Sequence, residues 1–237
     1  RWMPAAGVAL LIPLSAHTVH RAWQWNDALR LWEHEVHGPS PRSSQAWGAY
    51  GAELQARGRF AEALEAFRRS AALSRMSERT EARPLNTRTL EALAGLLMKE
   101  AEAALRAGRA AQGLALLAEA DRAIADFLAL DEGNAVVWSY RGIRCGQEGR
   151  VEEGEEAFRR ALALDATSLT VLQNLSVFLD LTDRRVESLE PLRRAADLYP
   201  MSPEPHESLA ATLEALGSPE AAARHRAVAA QLRPPVR

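Results

Sequence analysis

Two histidine pairs are the first residues of this sequence whose type and spacing could support chemistry. His34 and His37 lie three positions apart in the stretch EHEVH, and His17 and His20 repeat that spacing. Two histidines on one face of a helix can bind a metal ion, but zinc peptidases use the order HExxH, which the stretch HEVH does not provide. We interpret both pairs as parts of a solvated helix surface and predict no metal site.

The remaining reactive side chains also lack a catalytic setting. Cys145 is the single cysteine, which excludes an internal disulfide and a cysteine-based zinc site. We interpret it as a small buried apolar residue. The glycines are spread singly instead of forming a phosphate-binding loop, and no serine lies in a nucleophile-elbow motif. We therefore predict that this chain contains no catalytic residue and binds no cofactor.

Composition and charge are those of an ordinary folded protein. The 237 residues are 47% hydrophobic and 25% charged, and the formal net charge is -2. Such a chain has enough apolar side chains for a continuous core. Because no excess of positive charge attracts phosphate backbones, we expect no nucleic-acid partner.

The sequence repeats with a period of 34 residues, which predicts a series of similar helix pairs along the chain. Similar residues recur at the same positions counted from Ala135, Leu169 and Pro203, a further match begins at Ser44, and a weaker unit begins near Ala94. We count the first residue of each repeat as repeat position 1. Small residues at repeat position 8 let the two helices of a pair approach each other, and large apolar residues three or four positions away lie on the same helix face. The residues to which we assign a structural role in the repeats are Trp47, Gly51, Phe67, Trp138, Gly142, Phe158, Leu175, Ala195 and Pro200.

Three residues depart from the repeat pattern, and a set of glycines agrees with it. Gly113 and Gly154 replace the usual alanine of a second helix, which we expect to weaken each helix by about 1 kcal/mol. Arg226 stands where a large apolar residue is expected, which indicates a frayed terminal repeat. The glycines at repeat position 15 are expected to end the first helix of each pair with a positive φ. These glycines are Gly58, Gly108, Gly149 and Gly217.

This period and these positions resemble the tetratricopeptide repeat (TPR) family, from about Asp27 to the C-terminus. The resemblance implies an all-α fold: a right-handed superhelical solenoid of TPR helix pairs, preceded by a capping helix and a short apolar N-terminal helix. We divide the chain into an apolar segment at 1–22 and a TPR domain at 23–237. Repeats are expected near 44–77, 94–127, 135–168, 169–202 and 203–236, with a half repeat at 26–37.

The resemblance also implies a binding surface, because the first helices of successive TPR pairs line a groove that holds a protein or peptide. The family's clamp for C-terminal carboxylates needs Lys and Asn where this sequence has Gly48 and Ala52, so that ligand is not expected. The groove positions predicted to contact a partner are Gln45, Gln55, Ser139, Ile143, Gln147, Gln173, Val177, Asp180, Glu204, Glu207 and Glu214.

The carboxylates among these groove positions favour a basic or neutral partner. They belong to the last two repeats, which carry no Lys or Arg at the same positions. The alternative interpretation is that a terminal repeat carries polar residues only to stay soluble.

The apolar run from Pro4 to Ala16 indicates attachment to a membrane. It is shorter than the roughly 20 apolar residues that span a bilayer, so we interpret it as the end of a transmembrane helix that begins upstream. A signal-peptide remnant and a helix packed on the first repeat are the alternatives. The amphipathic helix that follows, capped by Asn26 or Asp27 and ended by Gly38, is expected to cap the stack.

The junction resembles the last transmembrane helix and TPR tail of membrane glycosyltransferase-like proteins. Arg21, Trp25, Asp27, Leu31 and Trp32 occupy the places of their Arg-x-x-x-Trp-x-Asp-x-x-x-Leu-Trp pattern. The resemblance implies a TPR domain on the non-cytoplasmic, periplasmic side of a membrane, with a soluble cytoplasmic protein as the alternative.

Three functions stay open at this stage. The first is a membrane-tethered scaffold that binds a protein or peptide. The second is the C-terminal domain of a multi-spanning glycosyltransferase whose catalytic residues lie upstream, and the third is a purely structural role in a larger assembly.

Overall fold

The structure, a computed structural model, describes residues 27–38, 43–78 and 87–233, and its regular elements there are all helices. The chain is therefore all-α over these ranges, as the sequence predicts. The helices, numbered in chain order, are α1 (Ala28–His37), α2 (Ser44–Ala56), α3 (Phe60–Glu78), α4 (Thr87–Arg106), α5 (Ala110–Leu130), α6 (Ala135–Gln147), α7 (Val151–Leu164), α8 (Leu169–Leu181), α9 (Leu189–Leu198), α10 (Pro203–Ala215) and α11 (Pro219–Leu232).

The chain forms two compact units. Unit 1 ends at Leu97 and unit 2 begins at Met98, so helix α4 contributes residues to both. Within unit 1, α2 packs along α3, and α1 packs on α2. Within unit 2, α6 pairs with α7 and α10 pairs with α11, while α6 also packs on α8, and α9 packs on both α8 and α10. Each helix pair of unit 2 is thus covered by its neighbour, as in other repeat stacks.

Short polar side chains fix where several of these helices begin. Asp27 accepts a hydrogen bond from the amide of Leu29 at 3.0 Å, which makes it the cap of α1. Ser43 caps α2 and Asn134 caps α6 in the same way, with distances of 3.2 and 3.0 Å to the amide three residues on. These bonds satisfy amides that the first helical turn leaves without a partner.

Residues with a positive φ end the first helix of each pair. The value lies between 73° and 75° at Gly58, Gly108, Gly149 and Gly217, which confirms the prediction for these glycines. The residue after each glycine donates its amide to a carbonyl five positions back, as Arg150 does to Cys145 at 2.9 Å. In the α8–α9 pair Asp183 takes this place with a φ of 60°.

Aromatic rings occupy the space that glycines leave between paired helices. A Cβ atom at Gly51 would lie 2.7 Å from the ring of Phe67, and one at Gly142 would lie 2.4 Å from the ring of Phe158. Both rings are buried. The backbones of α2 and α6 therefore approach α3 and α7 until a ring of the second helix touches the backbone of the first.

Gly113 and Gly154 allow close helix packing, in addition to the weakening of their helices that the sequence predicts. A Cβ atom at Gly154 would lie 2.4 Å from the ring of Phe178, and one at Gly113 would lie 2.6 Å from the side chain of Leu105. Phe178 belongs to α8 and its ring centroid lies 5.1 Å from that of Phe158, so it packs between successive helix pairs. Both glycines are needed because a side chain there would push neighbouring helices apart.

Helix α1 closes the start of unit 1 through its last residues. Val36 is buried, and the His37 ring contacts Trp47 and Tyr50 edge-on, with centroids 6.0 and 6.1 Å apart. Asp27 at the other end of α1 accepts a hydrogen bond from Arg57 at 2.7 Å. The helix is therefore held on α2 at both ends.

The predicted apolar segment at 1–22 lies outside the described residues, and so do Arg21, Trp25 and Asn26. In the part of the chain that the structure describes, no helix combines the length and apolarity needed to cross a membrane. Leu31 and Trp32, the last residues of the junction pattern, are half-buried on α1.

Candidate partner-binding surface

The predicted groove positions of unit 2 lie on its first helices α6, α8 and α10. Helix α6 packs directly on α8, and the Asn174 amide donates a hydrogen bond to Ser139 Oγ across this contact at 2.8 Å. We use the name groove surface for the predicted positions of unit 2 that are exposed or half-buried: Gln147, Gln173, Val177, Asp180, Glu204, Glu207 and Glu214. In unit 1 the predicted positions Gln45 and Gln55 are exposed on α2.

Two predicted groove positions do not belong to this surface. Ser139 is fully buried, and its hydroxyl donates to the Val136 carbonyl at 2.6 Å while it accepts the Asn174 amide. Ile143 is buried in a cluster with Phe178 and other apolar residues. Their assignment as partner contacts is corrected, because both side chains hold α6 against α8 instead of facing solvent.

Exposed apolar side chains lie along α8. Val177 is 46% exposed, and Leu181, one turn further on, is 44% exposed. Residues four apart share a helix face, so the two side chains form one apolar strip. Gln173 is half-buried one turn before Val177 and extends the strip with an amide. This face can bury apolar groups of a partner and offer it a hydrogen-bonding side chain.

Three of the four acidic residues of the groove surface form ion pairs with arginines. These arginines lie in the turn after α8, on α11 and directly after α11. The sequence comparison of groove positions on the first helices therefore did not include them. The side chains involved are between 40% and 66% exposed, so each pair adds little stability but cancels charge locally. These pairs reduce the negative charge of the groove surface, and the preference for a basic or neutral partner stays a prediction. The pairs are Asp180 with Arg185, Glu214 with Arg226, and Glu207 with Arg233.

Glu204 differs from these carboxylates because its partner is uncharged. The Ser202 hydroxyl donates to its Oε2 at 2.6 Å, and this hydrogen bond lowers the pKa of the Glu204 carboxyl. Glu204 therefore keeps its charge at the start of α10, where the helix dipole also favours an anion.

A cavity of about 430 Å³ adjoins the groove surface at Asp180. The turn between α8 and α9 forms most of it, with Val186 exposed there and Leu216 closing it from the end of α10. Arg184 lines it too and is held by ion pairs to Glu155 and Glu187, each at 2.6 Å. The cavity is therefore lined by apolar side chains and by charged side chains, most of which form ion pairs.

Trp47 and Trp138 are structural residues of the two units. Each is 6% exposed, and the Trp138 indole donates to the Glu132 carbonyl at 2.8 Å. An arginine guanidinium covers each ring: Arg69 lies 4.8 Å from the Trp47 centroid and Arg160 lies 4.7 Å from the Trp138 centroid. Both arginines stand 22 residues after their tryptophan, a repeated spacing that the sequence interpretation missed.

Arg144 is a buried charged side chain that the sequence interpretation did not single out. Its side chain is only 8% exposed on α6 and makes two hydrogen bonds to the Asp121 carboxylate of α5, at 2.7 and 2.8 Å. It also donates to Glu148 and, at 2.6 Å, to the amide oxygen of Gln147. The hydrogen bonds to Asp121 raise the pKa of Arg144, which stays charged. Gln147 is thereby held in place at one end of the groove surface.

The remaining residues with a predicted structural role differ in how deeply they are buried. Ala195 is fully buried on α9, and Leu175 is half-buried against the cluster around Phe178. Pro200 is exposed after the end of α9, so it acts by ending the helix and not by packing.

The described ranges contain no cluster of side chains that could bind a metal ion. No group of three or more His, Cys, Asp or Glu side chains there could hold an ion. Burial raises the pKa of the Cys145 thiol, which keeps it protonated and unreactive.

The fold is shared with solved TPR structures. The thermophilic TPR protein TTC0263 of Thermus thermophilus is similar with a TM-score of 0.60 and 19% identity, over 81% of this chain and 93% of that one. PilF of Pseudomonas aeruginosa is similar with a TM-score of 0.53 and 19% identity, over 81% of this chain and 78% of that one. No protein-family model and no curated protein matches the sequence. The chain has the TPR fold.

Proposed function

We propose that this chain is a non-catalytic scaffold that binds a protein or peptide on the groove surface of unit 2. The observation that carries this proposal is the pair of exposed apolar side chains on α8, Val177 and Leu181. Adjacent exposed apolar side chains beside a well-packed helix contact can form the centre of a surface that binds a partner. The TPR fold supports the proposal, since stacked helix pairs present extended binding surfaces.

The chemistry of the groove surface points to an amphipathic partner of low net charge. Apolar side chains of the partner would cover Val177 and Leu181, and the Gln173 amide would bind a backbone or polar group. Carboxylates that already bind arginines give no preference for a strongly basic segment. Gln147, held by Arg144, would set one end of the bound segment.

The experiment that tests this proposal compares two surface variants of the intact chain. A peptide is first selected on the parent protein from a random library, and its affinity is measured by calorimetry. The variant V177E/L181E places charge in the proposed contact, and L114E does so at a leucine that is 63% exposed on α5. We expect V177E/L181E to weaken binding by at least about tenfold, or 1.4 kcal/mol, and L114E to leave it unchanged. Equal affinities for parent and V177E/L181E would refute the site.

We also propose that the scaffold is tethered to a membrane through the segment at 1–22, with unit 1 and unit 2 on the periplasmic side. The apolar run from Pro4 to Ala16 supports this proposal. The intact protein should then stay with membranes after an alkaline carbonate wash, whereas a chain starting near Trp23 should be released. Release of the intact protein by the wash would refute the tether.

The second candidate is the C-terminal domain of a multi-spanning glycosyltransferase that positions acceptor proteins. It is supported by the junction pattern, of which Asp27 caps α1 and also binds Arg57. The sequence upstream of Arg1 separates the candidates: several hydrophobic spans would favour the glycosyltransferase, and a single span would favour the tethered scaffold.

A further inference from the structure

Two histidines join the helices of the last pair. His206 on α10 and His225 on α11 place their Nδ1 atoms 3.1 Å apart, with the ring planes inclined by 24° and the centroids 5.4 Å apart. These distances mean that each Nδ1 points directly at the other. We call His206 and His225 the terminal histidine pair.

This geometry fits a hydrogen bond and not a metal ion. A metal bound by both nitrogens would sit about 2.0–2.1 Å from each, which places it well off the line on which the two lone pairs face each other. In an Nδ1–H···Nδ1 bond, one ring donates its proton and the other accepts it. The terminal histidine pair therefore shares one proton between its facing nitrogens.

Other helix pairs fill the same two positions differently. Repeat position 4 holds Trp47 in unit 1 and Trp138 in unit 2, and repeat position 23 holds the buried Ala66 and Ala157. In the last pair these positions hold His206 and His225, so an apolar contact has been replaced by a titratable one.

The α10–α11 pair has little apolar packing to compensate. Arg226 stands where Phe67 and Phe158 fill the core of other pairs, and it is exposed. The buried residues of α11 are Ala222 and Ala229, both small. The contact between the two histidines therefore adds to an apolar contact in which α11 contributes only small buried side chains.

Desolvation by burial is the largest cause that lowers the pKa of His225 below its ordinary value of 6.5. The electrostatic effects of His206 on α10, Arg224 on α11 and Arg193 on α9 lower this pKa further. The neutral form of His225 is therefore favoured in the folded pair.

We propose that the terminal histidine pair is a proton-sensitive contact that loosens α11 from α10 at mildly acidic pH. A first added proton binds Nε2 of the donating ring, and the resulting imidazolium still donates its Nδ1–H to the neutral imidazole. A second proton leaves two Nδ1–H groups facing each other at 3.1 Å, with no acceptor and with two like charges. The hydrogen bond is then lost and the two rings repel.

The direction of the pH effect follows from the lowered pKa. The unfolded state binds the second proton more readily than the folded pair, so folding is favoured above pH 6.5 and this stability is lost as the pH falls below 6.5 through the lower folded pKa of His225. The proposal concerns the stability of the helix pair and needs no bound partner, so it is independent of the proposed function.

Hydrogen exchange measured on the intact chain tests the proposal. After correction for the intrinsic effect of pH, amides of α11 should exchange several-fold faster near pH 5 than near pH 7.5, while amides of α6 and α7 should not change. Equal protection of α11 at both pH values would overturn the proposal.

Two variants identify the histidines as the cause. H206W/H225A restores the residue types that the other pairs have at these positions, and H225A alone removes the second titrating ring. Both should lose the pH dependence of exchange in α11. Persistence of the parental pH dependence in either variant would overturn the proposal, and the measurement on the parent chain decides independently should a variant fail to fold.

Discussion

At the scale of single residues, Trp47 in unit 1 and Trp138 in unit 2 stand at the same repeat position and are packed in the same way. Each ring is 6% exposed and is covered by an arginine that stands at an equivalent position. We expect W47A or W138A to lower the free energy of unfolding by about 3–5 kcal/mol, because a large buried side chain leaves a cavity. Chemical denaturation measures this loss, with L114A at an exposed leucine as the control. Unchanged stability in both tryptophan variants would contradict the repeat register.

Gly154 offers a test in which two physical effects predict opposite signs. Helix propensity alone favours alanine over glycine by about 1 kcal/mol, so G154A would be stabilising. The structure places a Cβ atom there 2.4 Å from the ring of Phe178, which is fully buried. We expect steric crowding to dominate and G154A to destabilise unit 2 by about 1–3 kcal/mol. A higher denaturation midpoint for G154A would show that Phe178 can move away freely.

At the scale of helices and turns, Asp183 is an exception: other helix pairs have a glycine with a positive φ at the end of the first helix, and this pair has an aspartate there. The glycines at this repeat position have φ values of 73–75°, and Asp183 adopts 60° with a side chain. A left-handed conformation is unfavourable by roughly 1–2 kcal/mol for residues other than glycine, although aspartate tolerates it better than most. We expect D183G to raise the free energy of unfolding by about 1 kcal/mol.

The matched control is G149A, which should lower stability because it introduces the same strain in the α6–α7 pair. The two variants place opposite changes at equivalent turns, and thermal unfolding followed by circular dichroism compares them directly. A destabilised D183G would mean that the Asp183 side chain makes a contact worth more than its backbone strain.

The helix ends could be predicted from the sequence because they depend on neighbours within one turn. Gly58 and Gly149 are followed by residues whose amides bond five positions back, and this needs no information from other helices. The packing of Phe178 against Gly154 could not be predicted, since it joins helices of successive pairs. Ser139 and Ile143 were misassigned for the same reason: family positions do not specify how far one helix rotates against the next.

At the scale of the whole molecule, acidic and basic groups are nearly balanced in number. The chain has 31 acidic and 29 basic residues, and arginines bind three of the four carboxylates that the sequence alone presented as an acidic surface. The opposite charges of such a pair largely cancel at distances longer than their separation, and salt screens what remains beyond the Debye length of about 8–10 Å. Under the proposed function, we therefore expect apolar contacts to contribute more to the affinity for a partner than charge does.

Replacing the acidic members of two such pairs tests this conclusion. The variant E207Q/E214Q removes the carboxylates that bind Arg233 and Arg226 and leaves the helix shape unchanged. Two versions of the selected peptide are compared, one with lysines and one with glutamates outside its apolar centre, at low and at high salt. We expect the affinity for the lysine version to change by less than about twofold, because the lost negative charges were already neutralised.

The glutamate version should instead bind E207Q/E214Q more tightly at low salt, since Arg226 and Arg233 are then free to attract it. High salt should remove this gain by screening the two charges. A loss of about tenfold or more in affinity for the lysine version would mean that Glu207 and Glu214 contact the partner directly, and the apolar strip at Val177 and Leu181 would then be secondary to charge.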